Sequence, residues 1–185
     1  TGQPNAMGGR EVGGLASTLA AHMSFTDESC ARVQRFWSSP AIARKPGLKA
    51  VDMFEAIHDG RIKAVWIMAT NPAVSLPNAT RVREALARCP LVIVSDCVAD
   101  NDTMSFAHVK LPALAWSEKD GTVTNSERRI SRQRAVLPAA GEARADWRII
   151  ADVAARMGHG DGFSWRNPGD IFREYARLTT YENDG

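Results

Sequence analysis

The chain has 185 residues, a net charge of +2, 44% apolar residues and 24% charged residues. A chain of this size can bury about 70% of its unfolded surface and needs no disulfide or metal to fold. The composition excludes extended disorder, and the near-neutral balance excludes a general nucleic-acid or membrane binder.

Taken in chain order, residues 2–14 hold five glycines. They predict a loop, with 10–21 turning helical. Residues 31–37 predict a helix, and Pro40 and Pro46-Gly47 mark loops. Val51, Phe54, Ile57 and His58 fall at helical spacing, and Asp59-Gly60 closes that helix. Ala64-Val65-Trp66-Ile67-Met68 reads as a strand buried on both faces. Asn78 caps the next helix, whose apolar face is Ala79, Val82, Ala85 and Leu86. Leu91-Val92-Ile93-Val94 predicts a second buried strand ending at Ser95-Asp96. Residues 107–111 predict a third. A polar loop over 118–134 follows, then two helices. Asp146 caps the first, with Trp147, Ile150, Val153, Ala154 and Met157 inward. Asn167 caps the second, with Pro168 in its first turn and Ile171, Phe172, Tyr175 and Leu178 inward.

Strand, helix and strand in alternation predict an α/β fold, a parallel sheet flanked by helices. Ligands of such sheets sit beyond the carboxyl ends of the strands. Asn71-Pro72 follows the first strand there, and Ser95-Asp96 ends the second. Asp96 either terminates its strand or accepts hydrogen bonds from a ribose diol or a guanine N1–H and N2–H pair. Asn71 can donate and accept. Lys119, beside the turn Asp120-Gly121, can meet a phosphate or a ring carbonyl. Together these residues predict a nucleotide-like ligand of unspecified kind.

Other chemistries lack their motifs. Cys30, Cys89 and Cys97 form no C-x-x-C pair. That excludes a disulfide framework, a zinc ribbon and an iron–sulfur cluster bound by this segment alone. His22, His58, His108 and His159 share no metal-ligand spacing. No G-x-S-x-G, G-x-x-x-x-G-K-[ST] or G-x-G-x-x-G occurs. Arg128, Arg129, Arg132 and Arg134 form a basic run without aromatic interleaving, read as a solvated surface or an anion-binding rim. The longest apolar runs, such as 64–70, fall far short of the ~20 residues of a membrane helix. Thr1-Gly2-Gln3-Pro4-Asn5 contains no initiator Met and resembles no signal peptide, so a cytoplasmic location is expected.

Trp116-Ser117-Glu118-Lys119-Asp120-Gly121-Thr122-Val123-Thr124-Asn125-Ser126-Glu127-Arg128-Arg129 resembles a segment of the molybdopterin oxidoreductase family. Asn71-Pro72, Ser95-Asp96, Leu111-Pro112-Ala113, Gly141-Glu142-Ala143-Arg144 and Asp146-Trp147 match that family in order, so the resemblance covers nearly the whole chain. Gly2-Gln3-Pro4-Asn5-Ala6-Met7-Gly8-Gly9-Arg10-Glu11-Val12-Gly13-Gly14-Leu15 and Ala69-Thr70-Asn71-Pro72-Ala73-Val74-Ser75-Leu76-Pro77 resemble its assimilatory nitrate reductase branch.

The resemblance implies that residues 1–185 are one Rossmann-like domain of a larger multidomain enzyme. It implies molybdenum held by two molybdopterin guanine dinucleotides, with a [4Fe–4S] cluster bound by a segment outside this chain. The implied substrate is nitrate. The implied electron donor is ferredoxin, flavodoxin or an NADH-linked flavoprotein. The implied cofactor contacts are Asn71, Ser95, Asp96, Lys119 and Asp146. No catalytic residue and no metal ligand is expected in this chain, because the family's cluster cysteines and its C-terminal barrel domain are absent from it. The fragment alone is expected to be inactive. The alternatives are a formate dehydrogenase fragment and a non-enzymatic nucleotide-binding or assembly module.

Overall fold

The computed structural model describes residues 5–183. The opening residues 1–4, which carry part of the predicted N-terminal loop, lie outside the described residues, as do 184 and 185. Two compact units divide the chain. One comprises Thr1–Gly47, Asp120–Arg134 and Ala151–Gly185; the other comprises Leu48–Lys119 and Ala135–Ile150.

The second unit holds a three-stranded parallel sheet in the order β1-β2-β3, formed by β1 (Ala64–Met68), β2 (Leu91–Asp96) and β3 (Val109–Pro112). Val65 pairs in register with Val92 and Ile67 with Val94, so these four side chains share one face. That face meets Phe54 and Ile57 of one helix and Val82, Ala85 and Leu86 of another in a single apolar cluster. The first helix, Ala50–His58, ends where Gly60, at φ +74°, donates its N–H to the Ile57 carbonyl. A left-handed residue there favours glycine. The second helix, Ala79–Arg88, is capped by Asn78, whose side chain accepts from the Arg81 N–H.

The opposite sheet face differs from the expectation of strands buried on both sides. Trp66, Met68 and Ile93 are only partly covered, and Leu91 and Val109 are exposed. The third strand also lies slightly later than expected. His108 is drawn to the neighbouring strand instead, its N–H on the Val92 carbonyl and its Nδ1 accepting from the Val92 N–H. Beyond β3 the sheet continues as a parallel bridge between Ala113 and Arg144. The segments after Glu118 and before Leu137 are tied at Ser117, whose carbonyl accepts from the N–H groups of Val136 and Leu137.

The first unit is built on helices and one hairpin. Helix Asp27–Phe36 is capped by Thr26, which accepts from Ser29 N–H, and buries Cys30 and Val33. Those residues cluster with Leu19 and Leu178, the latter from the helix Pro168–Thr180. Asn167 caps that last helix as predicted, with Pro168 in its first turn. Phe172 in it is 38% exposed, so the inward face is narrower than the sequence pattern predicts.

Three predicted segments are corrected. The glycine-rich N-terminal stretch is helical over Ala6–Glu11, whereas most of 12–21 is not. Glycine is a poor helix former, yet here Gly8 leaves room for the Asn5 side chain; a Cβ would sit 2.1 Å from Asn5 Oδ1. That same oxygen accepts from the Thr124 N–H, so a tertiary contact overrides local propensity. The polar loop over 118–134 is instead an antiparallel hairpin, β4 (Gly121–Thr124) with β5 (Ile130–Gln133). Its turn is held by Asn125, whose Oδ1 accepts from Glu127 and Arg129 N–H groups. Asp146 does not cap its helix but is its first residue; Ala145 supplies the carbonyl taken by Arg148 and Ile149 N–H. That helix, Asp146–Arg156, buries Ile149, Ala151 and Ala154, whereas Met157 just beyond it is 69% exposed.

Candidate functional site

All five predicted contact residues belong to the sheet unit: Asn71 follows β1, Ser95 and Asp96 end β2, Lys119 comes after β3, and Asp146 starts a helix. Met68, Ser95 and Leu111 share one register level. Asn71 lies just beyond the first of these and Asp96 just beyond the second. Ala69, where the chain leaves β1, holds φ +52°, a conformation that non-glycine residues adopt at a cost of roughly 1 kcal/mol. The Ala113–Arg144 bridge brings the start of the Asp146 helix alongside the end of β3.

Asn71 is already engaged. Its Oδ1 accepts from the Thr103 hydroxyl at 2.7 Å and the Thr103 N–H at 3.2 Å, while Nδ2 donates to Asp102 at 3.3 Å. Thr103 is fully buried, and its Oγ1 also accepts from the Ala73 N–H. The loops after β1 and β2 are thus latched together. No motif in the sequence marks Thr103.

Asp96 closes a turn on itself. Oδ1 accepts from the N–H groups of Cys97 (2.7 Å) and Val98 (3.4 Å), and Oδ2 accepts from Asn101 Nδ2 at 3.2 Å. A carboxylate offers about four acceptor positions, so one on Oδ2 is left over. Ser95 is buried, and its hydroxyl accepts from Trp66 Nε1 at 2.8 Å. Asp96 therefore terminates its strand with an acceptor position left on Oδ2.

Lys119 and Asp146 form a pair at 2.8 Å through Asp146 Oδ2. The other oxygen, Asp146 Oδ1, is buried and accepts no hydrogen bond in the structure. A buried carboxylate oxygen left without a donor is costly unless a ligand supplies one. This orphaned acceptor, beside a cation at the strand ends, fits a polar group bearing N–H or O–H donors.

The first unit contains a charged cluster that sequence reading did not single out. Glu11, 7% exposed, receives Arg128 Nε at 2.8 Å and Nη2 at 3.0 Å, and contacts His22 Nε2 as well. Arg128 is therefore not part of a freely solvated basic run. Its hydrogen bonds, with those of His22, hold the Glu11 carboxyl below its usual value, and Arg128 is raised in turn. Burial pushes the Tyr175 phenol up, with the Glu11 charge adding to it. His22 and Arg128 both adopt positive φ, +65° and +64°, to reach that carboxylate.

The fold is a parallel α/β sheet flanked by helices, the class whose ligands generally sit beyond the carboxyl ends of the strands. The molybdopterin oxidoreductase family profile matches residues 4–156. The chain belongs to that family. It is 64% identical over 185 residues to a nitrate reductase of Klebsiella oxytoca, covering all of this chain and 21% of that protein. It is 40% identical over 177 residues to the assimilatory nitrate reductase catalytic subunit of Bacillus subtilis, covering 94% of this chain and 25% of that subunit. A putative formate dehydrogenase of Bacillus subtilis is 35% identical over 178 residues, 96% of this chain and 18% of that protein. Acetylene hydratase from Pelobacter acetylenicus shares the fold, with TM-score 0.55 and 20% identity over 92% of this chain and 21% of its own. The chain thus spans about a fifth to a quarter of these proteins. Among the described residues no helix is long and apolar enough to cross a membrane, and no group of three or more metal-ligating side chains occurs.

Proposed function

We propose that residues 1–185 are one domain of the catalytic subunit of a molybdenum-dependent assimilatory nitrate reductase. This domain helps to bind a molybdopterin guanine dinucleotide along its sheet edge. The observation that favours nitrate over formate is the 64% identity to a nitrate reductase, against 35% to a putative formate dehydrogenase.

Asn71, Ser95, Asp96, Lys119 and Asp146 would hold the cofactor. Asp96 accepts from the guanine or its ribose through its remaining Oδ2 position. Asn71, fixed by Thr103, offers its second amide hydrogen. Ser95, pinned by Trp66, sets the level of the edge. Lys119 faces the pyrophosphate or pterin side, and Asp146 both tethers Lys119 and accepts a donor at its orphaned Oδ1. When bound, the cofactor supplies the redox metal at which nitrate becomes nitrite and water, consuming two electrons and two protons. The chain itself contributes orientation and charge. The [4Fe–4S] cluster, the electron donor (ferredoxin, flavodoxin or an NADH-linked flavoprotein) and the remaining domains belong to the rest of the subunit and its partners in the cytoplasm.

The test is metal and pterin analysis of the full-length gene product, with nitrate and formate assays side by side. Molybdenum, guanine nucleotide and nitrite formation are expected. Formate oxidation without nitrate reduction would replace this reading with a formate dehydrogenase. Asp96→Ala and Asp146→Asn are expected to lower pterin content; unchanged content would remove the edge from the cofactor site. The isolated 185-residue chain is expected to form no nitrite from nitrate with a reduced viologen dye.

A further inference from the structure

Asn101-Asp102-Thr103, three consecutive residues in the segment after β2, bond side chains at both strand ends. Asn101 Nδ2 donates to Asp96 Oδ2 at 3.2 Å. Asp102 Oδ2 accepts from Asn71 Nδ2 at 3.3 Å, and Thr103 donates to Asn71 Oδ1 from its hydroxyl and from its N–H. The tripeptide is itself held in place. Asn101 Oδ1 accepts from the Met104 N–H at 2.8 Å, and Met104 is buried in the apolar cluster of the sheet unit. Asp102 Oδ1 accepts from Arg83 Nη2, on the helix Ala79–Arg88, at 3.5 Å. Thr103 is fully buried and also receives the Ala73 N–H.

These bonds decide which way each edge group points. An amide can present its oxygen or its nitrogen, two ends of nearly the same shape. The Met104 N–H takes the oxygen of Asn101, which turns the NH₂ group toward Asp96. The two Thr103 donors take the oxygen of Asn71, which leaves an N–H of that residue for a ligand. On Asp96 the Cys97 and Val98 N–H groups fill Oδ1, and Asn101 takes one position on Oδ2. The edge therefore offers a donor at Asn71 and an acceptor at Asp96, each held before a ligand arrives. Groups fixed in advance lose less freedom on binding than groups that must be ordered. We propose that Asn101-Asp102-Thr103 is a positioning tripeptide that fixes the polarity of the nucleotide edge. Asn101 aims the Asp96 carboxylate, and Asp102 with Thr103 aims the Asn71 amide. The inference rests on the reading of that edge as a nucleotide site, and it adds residues that no motif in the sequence singles out.

The probe is GDP, titrated into the 185-residue chain and followed by ¹H–¹⁵N NMR at the Asn71 side-chain amide and the Cys97 N–H. Asn101→Asp keeps an oxygen for the Met104 N–H but sets a carboxylate against Asp96. Two facing carboxylates repel when both are charged and share a proton when one is not. Titration of the ligand cancels in the ratio of variant to parent affinity. That ratio is expected to be down at least about tenfold near pH 7.5 and to recover as pH falls toward about 5. Asp102, the other carboxylate of the tripeptide, faces Arg83 and Asn71 in both chains. At the other strand end, Thr103→Val is expected to weaken GDP binding about tenfold, whereas Thr103→Ser, which keeps the hydroxyl, binds like the parent. Urea midpoints on the same samples establish that each variant is folded at the pH of titration. A ratio that stays constant with pH, or Thr103→Val binding as tightly as the parent, would overturn the inference and leave the nucleotide edge standing. No binding of GDP by the folded parent chain would overturn both.

Discussion

Glu11 shows how a single carboxylate can organise chain that local propensity would leave loose. It is buried in the first unit, receives two hydrogen bonds from Arg128, and holds His22 and Arg128 at positive φ. Hydrogen bonds from Arg128 and His22 lower its pKa below the usual value of 4.5. A carboxyl whose folded pKa is depressed adds stability above its unfolded pKa and loses that contribution as pH falls through the folded value. Glu11→Gln is therefore expected to lower the urea midpoint at neutral pH, with the gap to the parent chain shrinking as pH drops below about 4.5. A gap constant from pH 7 to pH 3 would show that the carboxylate charge is not the stabilising element. At the sheet edge, Thr103→Val deletes a hydroxyl that satisfies both Asn71 Oδ1 and the Ala73 N–H. Leaving a buried donor unpaired is expected to cost about 1–3 kcal/mol in urea unfolding. None of these partnerships was legible in the sequence, because each joins residues far apart in the chain and no motif marks them.

At the level of elements, the sheet helices and first two strands were legible because their signal is local. Apolar runs at 64–68 and 91–94, and helical spacing at 51–58 and 79–88, need no tertiary information. Asn78 illustrates a local signal that the structure extends. It caps the Ala79–Arg88 helix while itself at φ +54°. Asn78→Ala is expected to cost about 1–2 kcal/mol, combining the lost cap with the left-handed strain. Asn78→Gly keeps the conformation and is expected to cost only about a few tenths of a kcal/mol. Chemical denaturation of the two variants separates the causes; equal losses would mean that the backbone conformation contributes nothing. The hairpin was missed for the opposite reason. Its turn places Arg128 where glycine or asparagine usually signals left-handed backbone, and the compensation comes from Glu11, more than a hundred residues earlier. Asp146 was correctly placed near a helix start but misassigned as its cap, since the sequence does not show that Lys119 claims the side chain. Asn71, Ser95 and Asp96 were legible as polar positions at strand ends, whereas Lys119 was read beside a turn and Asp146 at a helix start, and the five were joined only by what the family resemblance implies. Their internal commitments were not legible.

At the scale of the whole molecule, the chain passes between its two units at 47/48, 119/120, 134/135 and 150/151. The second of these departures and the return that follows it enclose the hairpin, and Ser117 ties both ends through Val136 and Leu137. In chain order, residues 120–134 are therefore an insertion whose flanking segments are joined within the sheet unit. Insertions whose flanks are joined tolerate exchange, because loop length costs little entropy once the ends are fixed. Replacing 120–134 by a short glycine–serine linker is expected to leave the sheet unit's unfolding midpoint near that of the parent, while the unit that loses β4 and β5 unfolds earlier. Loss of both transitions together would show that the two units fold as one. Changes within the hairpin act on the first unit, where Arg128 bonds the buried Glu11, while the Ser117 tie that joins its flanks belongs to the sheet unit.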